Sequence, residues 1–303
     1  MRYRPLGSTG LDVSEIGFGA ASWWGKSAFD ERQAIALVHA AIDGGVTFFD
    51  TGSSYSAGEA EPRLGRALKG RDASRLMVAT KAGTFHSGGG RIRRDFSPQA
   101  VTASAERSLR NLGLDVVPLL QLHGPAISEL NDDLLAALSH LKGRGLVRAL
   151  GLNSFDPAVI DHALGMAAFD VVMVDYNVLR PEREPLIARA AAAGRGVLAG
   201  MALAMGHTGL QVAKIRGARD LWYAARALAH HRADIIKGAR LGFLNHVGGM
   251  TGAQAALAYV LSNPDVACAV VGATRMPHLL DDIAASGMTL SPDLIARVKK
   301  VNR

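Results

Sequence analysis

The chain has 303 residues, 49% hydrophobic and 20% charged, and a single cysteine, so it can bury a large core and forms no intrachain disulfide. Its net charge of +7 comes from 34 basic and 27 acidic residues, scattered in stretches such as GRIRR (90–94), KGRGLVR (142–148) and VKKVNR (298–303). Without a long basic stripe or a stacked aromatic array, that excess suits a phosphorylated cofactor or anionic substrate and argues against nucleic acid.

The opening residues contain no apolar run of the secretory kind, and no stretch approaches the roughly 20 apolar residues of a membrane helix, so a cytoplasmic, membrane-free protein is expected. Residues 1–14 carry the turn signal GSTG and read as a β-hairpin. Short apolar runs then alternate with helical stretches. SEIGFGA (14–20) precedes a helix over 31–44, VTFFD (46–50) one over 59–69, and LMVATK (76–81) one over 98–111. VVPLLQLH (116–123) precedes 131–143, VRALGLN (147–153) precedes 157–167, and VVMVDYN (171–177) precedes 183–193. The series closes with GVLAGMAL (196–203) before 251–262 and ACAVVGA (267–273) before 276–286. Helices are read from spacing. Val101, Ala105, Leu109 and Leu112 share one face, Ser97 stands as N-cap, Pro98 opens the helix and Gly113 closes it.

Eight strand–helix units with near-continuously apolar strands predict a closed parallel sheet wrapped in helices, the (β/α)₈ barrel. No GxGxxG follows the first strand, which speaks against a Rossmann domain. The hairpin lies over the barrel's bottom in this reading. The stretch 204–250, with its helix-like ARDLWYAARALAHHRADI, forms a long helical insertion after the seventh strand. No linker or low-complexity tract divides residues 1–303, so one domain is expected. Cys268 sits in the apolar run VACAVVGA and reads as core rather than as a nucleophile.

Barrel chemistry sits at the carboxyl ends of the strands. There the sequence places Asp50, Lys81 and His123, each ending an apolar run, with Tyr55 in the loop after Asp50. Taken singly, Asp50 could cap a turn, Tyr55 be a loop aromatic, Lys81 a surface lysine and His123 a core histidine. Together they describe a general acid–base set. Tyrosine ordinarily titrates near 10, an adjacent lysine ammonium would pull the phenol down, and Asp50 would keep that ammonium charged. His123 would orient the reacting oxygen. His230 and His231 diverge by about 100° on a helix and make a poor metal pair. With no spaced Cys or His cluster, the electrons require an organic cofactor.

The segments DTGSSYSAGEAEPRLGRAL, TKAG, LLQLHGP and VVGATRMPHLLDDI resemble the aldo-keto reductases over essentially the whole chain. The resemblance implies an NAD(P)-dependent oxidoreductase acting on a small carbonyl or alcohol substrate, with Tyr55 as proton donor, Lys81, Asp50 and His123 as its partners, and NADP or NAD as cofactor. For the nicotinamide end it points to Asn153 and Ser154, to Met173 where relatives have glutamine, and to Gly200 where many have a stacking aromatic. The pyrophosphate would meet backbone around Leu203 to Gly206, including Met205. Gly272 and His278 stand where NADP-using relatives clamp the 2′-phosphate with lysine and arginine. Asp282 replaces an adenine-contacting asparagine, and Arg275, beside Thr274, is the remaining phosphate partner. Trp23 or Trp24, in the loop after the first strand, would lie over the substrate pocket with His123, the alternative being that one of the two packs beneath the rim. The loop at 86–90 and the aromatics Trp222 and Tyr223 are further candidates. GLN (151–153) and LAMG (203–206) resemble the sugar- and pyridoxal-dehydrogenase branch, so an aldose or alcohol dehydrogenase working oxidatively is the alternative. A nucleotide-binding regulatory subunit without turnover is the other.

Overall fold

The computed structural model describes residues 1–86, 91–204 and 232–302. Strands β1 (Tyr3–Pro5) and β2 (Asp12–Ser14) pair antiparallel as the expected hairpin. Eight parallel strands follow and close on themselves: β3 (Ile16–Gly19), β4 (Phe48–Asp50), β5 (Met77–Ala82), β8 (Val117–His123), β9 (Val147–Asn153), β10 (Val171–Asp175), β11 (Gly196–Gly200) and β12 (Cys268–Val271). The expected (β/α)₈ barrel is therefore the fold. A helix follows each strand, the first being Glu31–Asp43 with Asp30 as its N-cap. Pro98–Leu112 has the anticipated Ser97 cap and ends on left-handed Gly113.

Two short elements lie outside the sequence reading. β6 (Thr84–His86) and β7 (Ile92–Arg94) form an antiparallel hairpin beside the carboxyl rim. The helix Pro292–Val301 closes the chain, capped by Ser291, with Lys299 bonded to Glu184 at 2.6 Å. Of the stretch 204–250, the described part holds a helix at Arg232–Arg240 and a 3₁₀ turn at Gly242–His246. Met205, Gly206, Trp222, Tyr223, His230, His231 and residues 87–90 lie outside the described residues. Among the described residues no helix is long and apolar enough to cross a membrane.

Side-chain parity builds the interior. Phe48, Met77, Ala79, Leu119, Ala149, Val171, Met173, Leu198 and Cys268 form one buried cluster inside the barrel, joined from below by Leu6 and Val13 of the hairpin. The alternate residues Phe49, Val78, Leu120, Leu150 and Val172 face the helices. Burial drives the Cys268 thiol well above its usual range, as a core role requires. At the bottom the hairpin seals the lumen. Gly7 approaches β11 so closely that a Cβ there would lie 2.2 Å from the Gly196 nitrogen, and Arg4 donates to the carbonyls of Leu261 and Val266.

Between β5 and β6 the chain turns at Gly83, whose φ is +89°. A Cβ at this position would fall 2.0 Å from the Phe96 ring. Gly83→Ala is expected to lose about 1–3 kcal/mol of stability through left-handed strain and steric conflict together. Urea unfolding of the variant measures it, and a midpoint equal to wild type would show that Phe96 yields freely.

Candidate active site

Period-two alternation decides which polar side chains reach the lumen. In β5, Met77 and Ala79 point inward, so Lys81 does too. In β4 the inward Phe48 is followed two residues later by Asp50, and in β8 Leu119 is followed by Gln121 and His123. The upper lumen thus receives an acid, a base, an amide and an imidazole from three adjacent strands.

The Lys81 ammonium is buried, 2.7 and 2.6 Å from the two Asp50 carboxylate oxygens, and also donates to the Thr51 carbonyl at 2.8 Å. Gln121 donates to Asp50 at 3.1 Å. Burial works against the Lys81 charge, but Asp50 and Tyr55 outweigh it and raise its pKa, so the ammonium persists. Burial likewise pushes the Asp50 carboxyl up, opposed by Lys81 and the Gln121 amide.

Tyr55 opens a 3₁₀ turn, Tyr55–Gly58, after β4. Its ring centre lies 4.7 Å from the Lys81 nitrogen and 5.5 Å from the His123 ring, which it meets edge-on at 85°. Burial raises the phenol above its ordinary value, against the downward pull of Lys81. The sequence reading gave Lys81 the larger effect. Desolvation overrules it, and the group stays a neutral phenol, which is a proton donor.

His123 is held by Thr84, whose Oγ1 is 2.7 Å from Nδ1. Burial, then the charges of Lys81 and Arg94, push its pKa down to about 4. The folded protein therefore keeps a neutral ring, whereas the unfolded chain takes up a proton near 6.5. The stability this lends is present above 6.5 and is lost as pH falls toward about 4. His123→Gln is expected to flatten the acid side of a Tm-against-pH curve; unchanged acid sensitivity would contradict it.

Thr84 and Gln121 were not singled out from sequence. Gln121 carries a usable signal, because it shares parity with His123 two residues ahead. Thr84 stands in a loop-like stretch and carries none.

Several cofactor candidates share this rim. Asn153 ends β9 and Ser154 follows it, both buried, and Asn153 is paired in register with both His123 and Met173. Among the described residues the Asn153 amide makes no side-chain hydrogen bond. Gly200 ends β11, where a Cβ would press on Met173 at 3.3 Å, and Leu203 is half-buried against the core. Past β12, Gly272 is exposed and the helix Met276–Ala284 begins at Arg275, which makes no side-chain cap. Thr274 and His278 flank that start. Asp282 is buried, and burial with the neighbouring Asp281 pushes its carboxyl up to about 7.

Trp23 is half-buried with the Lys26 ammonium 5.2 Å from its ring. Trp24 corrects the sequence reading. It is 1% exposed, packs edge-on to Phe18 at 6.0 Å and donates its indole N–H to the Ala34 carbonyl at 3.2 Å. The apolar indole fills the layer between β3 and its helix, so it walls no pocket.

All five non-glycine residues with left-handed φ among the described residues lie in rim loops: Ser22 after β3, Ser56 and Ala57 after β4, and Met201 and Ala204 after β11. Each such conformation costs roughly 1–2 kcal/mol. It persists where surrounding contacts impose it, as around a reactive site.

A model of the "Aldo/keto reductase family" matches residues 15–303. The chain belongs to the aldo/keto reductase family. It is 30% identical over 297 residues to L-galactose dehydrogenase of Arabidopsis thaliana, covering 93% of this chain and 87% of the relative. It is 27% identical over 292 residues to the uncharacterized oxidoreductase YqkF of Bacillus subtilis strain 168, covering 94% and 91%. The holo form of the aldo-keto reductase AKR11C1 from Bacillus halodurans superposes with a TM-score of 0.83 at 26% identity, covering 100% of this chain and 97% of that one. As an aldo-keto reductase the protein is an NAD(P)-dependent oxidoreductase.

The rim suits such a cofactor. A buried amide without a side-chain partner matches a carboxamide, and a helix start without a side-chain cap offers backbone N–H groups to phosphate.

Proposed function

We propose that this aldo-keto reductase interconverts a carbonyl and its alcohol with Tyr55 as general acid–base. The supporting observation is the Lys81 ammonium, clamped by both Asp50 oxygens and set 4.7 Å from the Tyr55 ring. NAD(P)H, when bound, would supply the hydride that the carbonyl carbon takes up. Tyr55, held as a phenol, gives its proton to the carbonyl oxygen. Lys81 stabilises the negative charge that the phenol oxygen then carries. Asp50 and Gln121 keep that ammonium charged and fixed, and His123 holds the carbonyl oxygen as the proton arrives. Asn153, Ser154, Met173 and Gly200 would hold the nicotinamide end, and Leu203 would border the pyrophosphate. Gly272, Thr274, Arg275, His278 and Asp282 would take the adenosine end. Trp23 would border the substrate.

A fluorescence titration with NADH and NADPH, followed by a panel of aldehydes and ketones, tests the reading. Tight nucleotide binding with no turnover over the panel would favour a regulatory role instead. The 30% identity to a plant L-galactose dehydrogenase supports a second reading, oxidation of an aldose. Faster rates with NAD(P)⁺ and sugars than with NAD(P)H and aldehydes would establish it.

A further inference from the structure

We propose that Thr84 holds His123 in the tautomer that carries its proton on Nε2, making Thr84 a positioning residue for the reaction; this rests on the reading of His123 as the carbonyl's hydrogen-bond donor. A neutral imidazole has one N–H, and the partner of one ring nitrogen decides which nitrogen carries it. Here Nδ1 faces Thr84 Oγ1 at 2.7 Å, and that hydroxyl faces Ser54 Oγ at 3.0 Å.

Protons can run along this chain in two directions. In one, Ser54 donates to Thr84, Thr84 donates to Nδ1, and the ring proton sits on Nε2. In the other, Nδ1–H donates to Thr84 and Thr84 donates to Ser54. Ser54 is 4% exposed and, among the described residues, Thr84 is the one partner of its hydroxyl. The second direction leaves the Ser54 proton without an acceptor in a buried place, at the full desolvation penalty of an unmade bond. The first uses every hydroxyl proton. It also leaves an N–H at Nε2, which among the described residues has no partner of its own.

The consequence is directional. An Nε2–H attracts a carbonyl oxygen, whereas an Nε2 lone pair repels it. The support for Thr84 is correspondingly rigid. Gly83 sets the turn before it, Ser53 Oγ donates to its carbonyl at 2.9 Å, and it pairs across the hairpin with Arg94. Arg94 in turn donates to the carbonyl of Gly124 at 2.6 Å, next to His123.

Long-range ¹H–¹⁵N correlation spectra of histidine-labelled full-length protein at neutral pH test this, with His123→Gln identifying the signal. Wild type should show Nε2 protonated and Nδ1 bare. Thr84→Val should mix the two tautomers and lower kcat for carbonyl reduction by about tenfold, the worth of one hydrogen bond, with KM for the nucleotide unmoved. Thr84→Ser should restore both. A wild-type proton on Nδ1, or an unshifted tautomer in Thr84→Val, would overturn the proposal, as would a Thr84→Val kcat equal to wild type. The expected spectra in a protein that reduces no carbonyl would support the tautomer assignment and overturn only the reading on which its catalytic use rests.

Discussion

Tyr55→Phe is expected to bind NADH and NADPH as wild type does while kcat falls roughly 10²–10⁴-fold, the usual contribution of one general acid. The substitution deletes an oxygen and little else. The remaining ring still sits over Lys81 and edge-on to His123, contacts made by ring atoms. Burial makes the native group a phenol at neutral pH, so reduction should vary little with pH there. Oxidation needs the phenolate and should climb as pH rises. Activity like wild type in Tyr55→Phe would remove the tyrosine from the mechanism.

Lys81→Met should be the most damaging single change to stability. It leaves the Asp50 carboxylate in the barrel with one amide donor, Gln121, at 3.1 Å. Breaking a buried pair from one side costs about 3–5 kcal/mol. The orphaned carboxyl then answers to burial, opposed by the Gln121 amide alone, and its folded pKa stays above 3.8. A raised pKa means that the folded state holds the proton more tightly. Stability of the variant should therefore be greatest in acid and decline as pH increases through that raised value. Denaturant unfolding at mildly acidic and mildly alkaline pH measures the slope. Changing Asp50 to leucine as well should recover part of the loss, because no buried charge is then left behind. A single variant as stable as wild type at alkaline pH would show that water reaches Asp50.

Most of this architecture was legible in the chain because barrel strands obey a strict period. The apolar runs ending in Asp50, Lys81 and His123 gave the strand ends to within a residue or two, and parity with Phe48, Met77 and Leu119 fixes the side on which those groups emerge. The rest depends on distances that no periodicity encodes. Thr84 and His123 are 39 positions apart and Ser54 and Thr84 are 30 apart, and they meet where the end of β8, the start of β6 and the loop after β4 come together. Loop side chains have no period to orient them, which is why the paired tryptophans at 23 and 24 looked equivalent and are not. The acidity of Tyr55 was misjudged for a different reason. Charge neighbours can be guessed from a motif, but the amount of solvent stripped from a phenol cannot.

The hairpin corked beneath the lumen turns the barrel into a cul-de-sac. With Leu6 wedged among the lowest core residues and Gly7 pressed onto β11, nothing passes through from below. For the proposed reaction, this leaves the strand-end rim as the side from which substrate and cofactor would enter and leave.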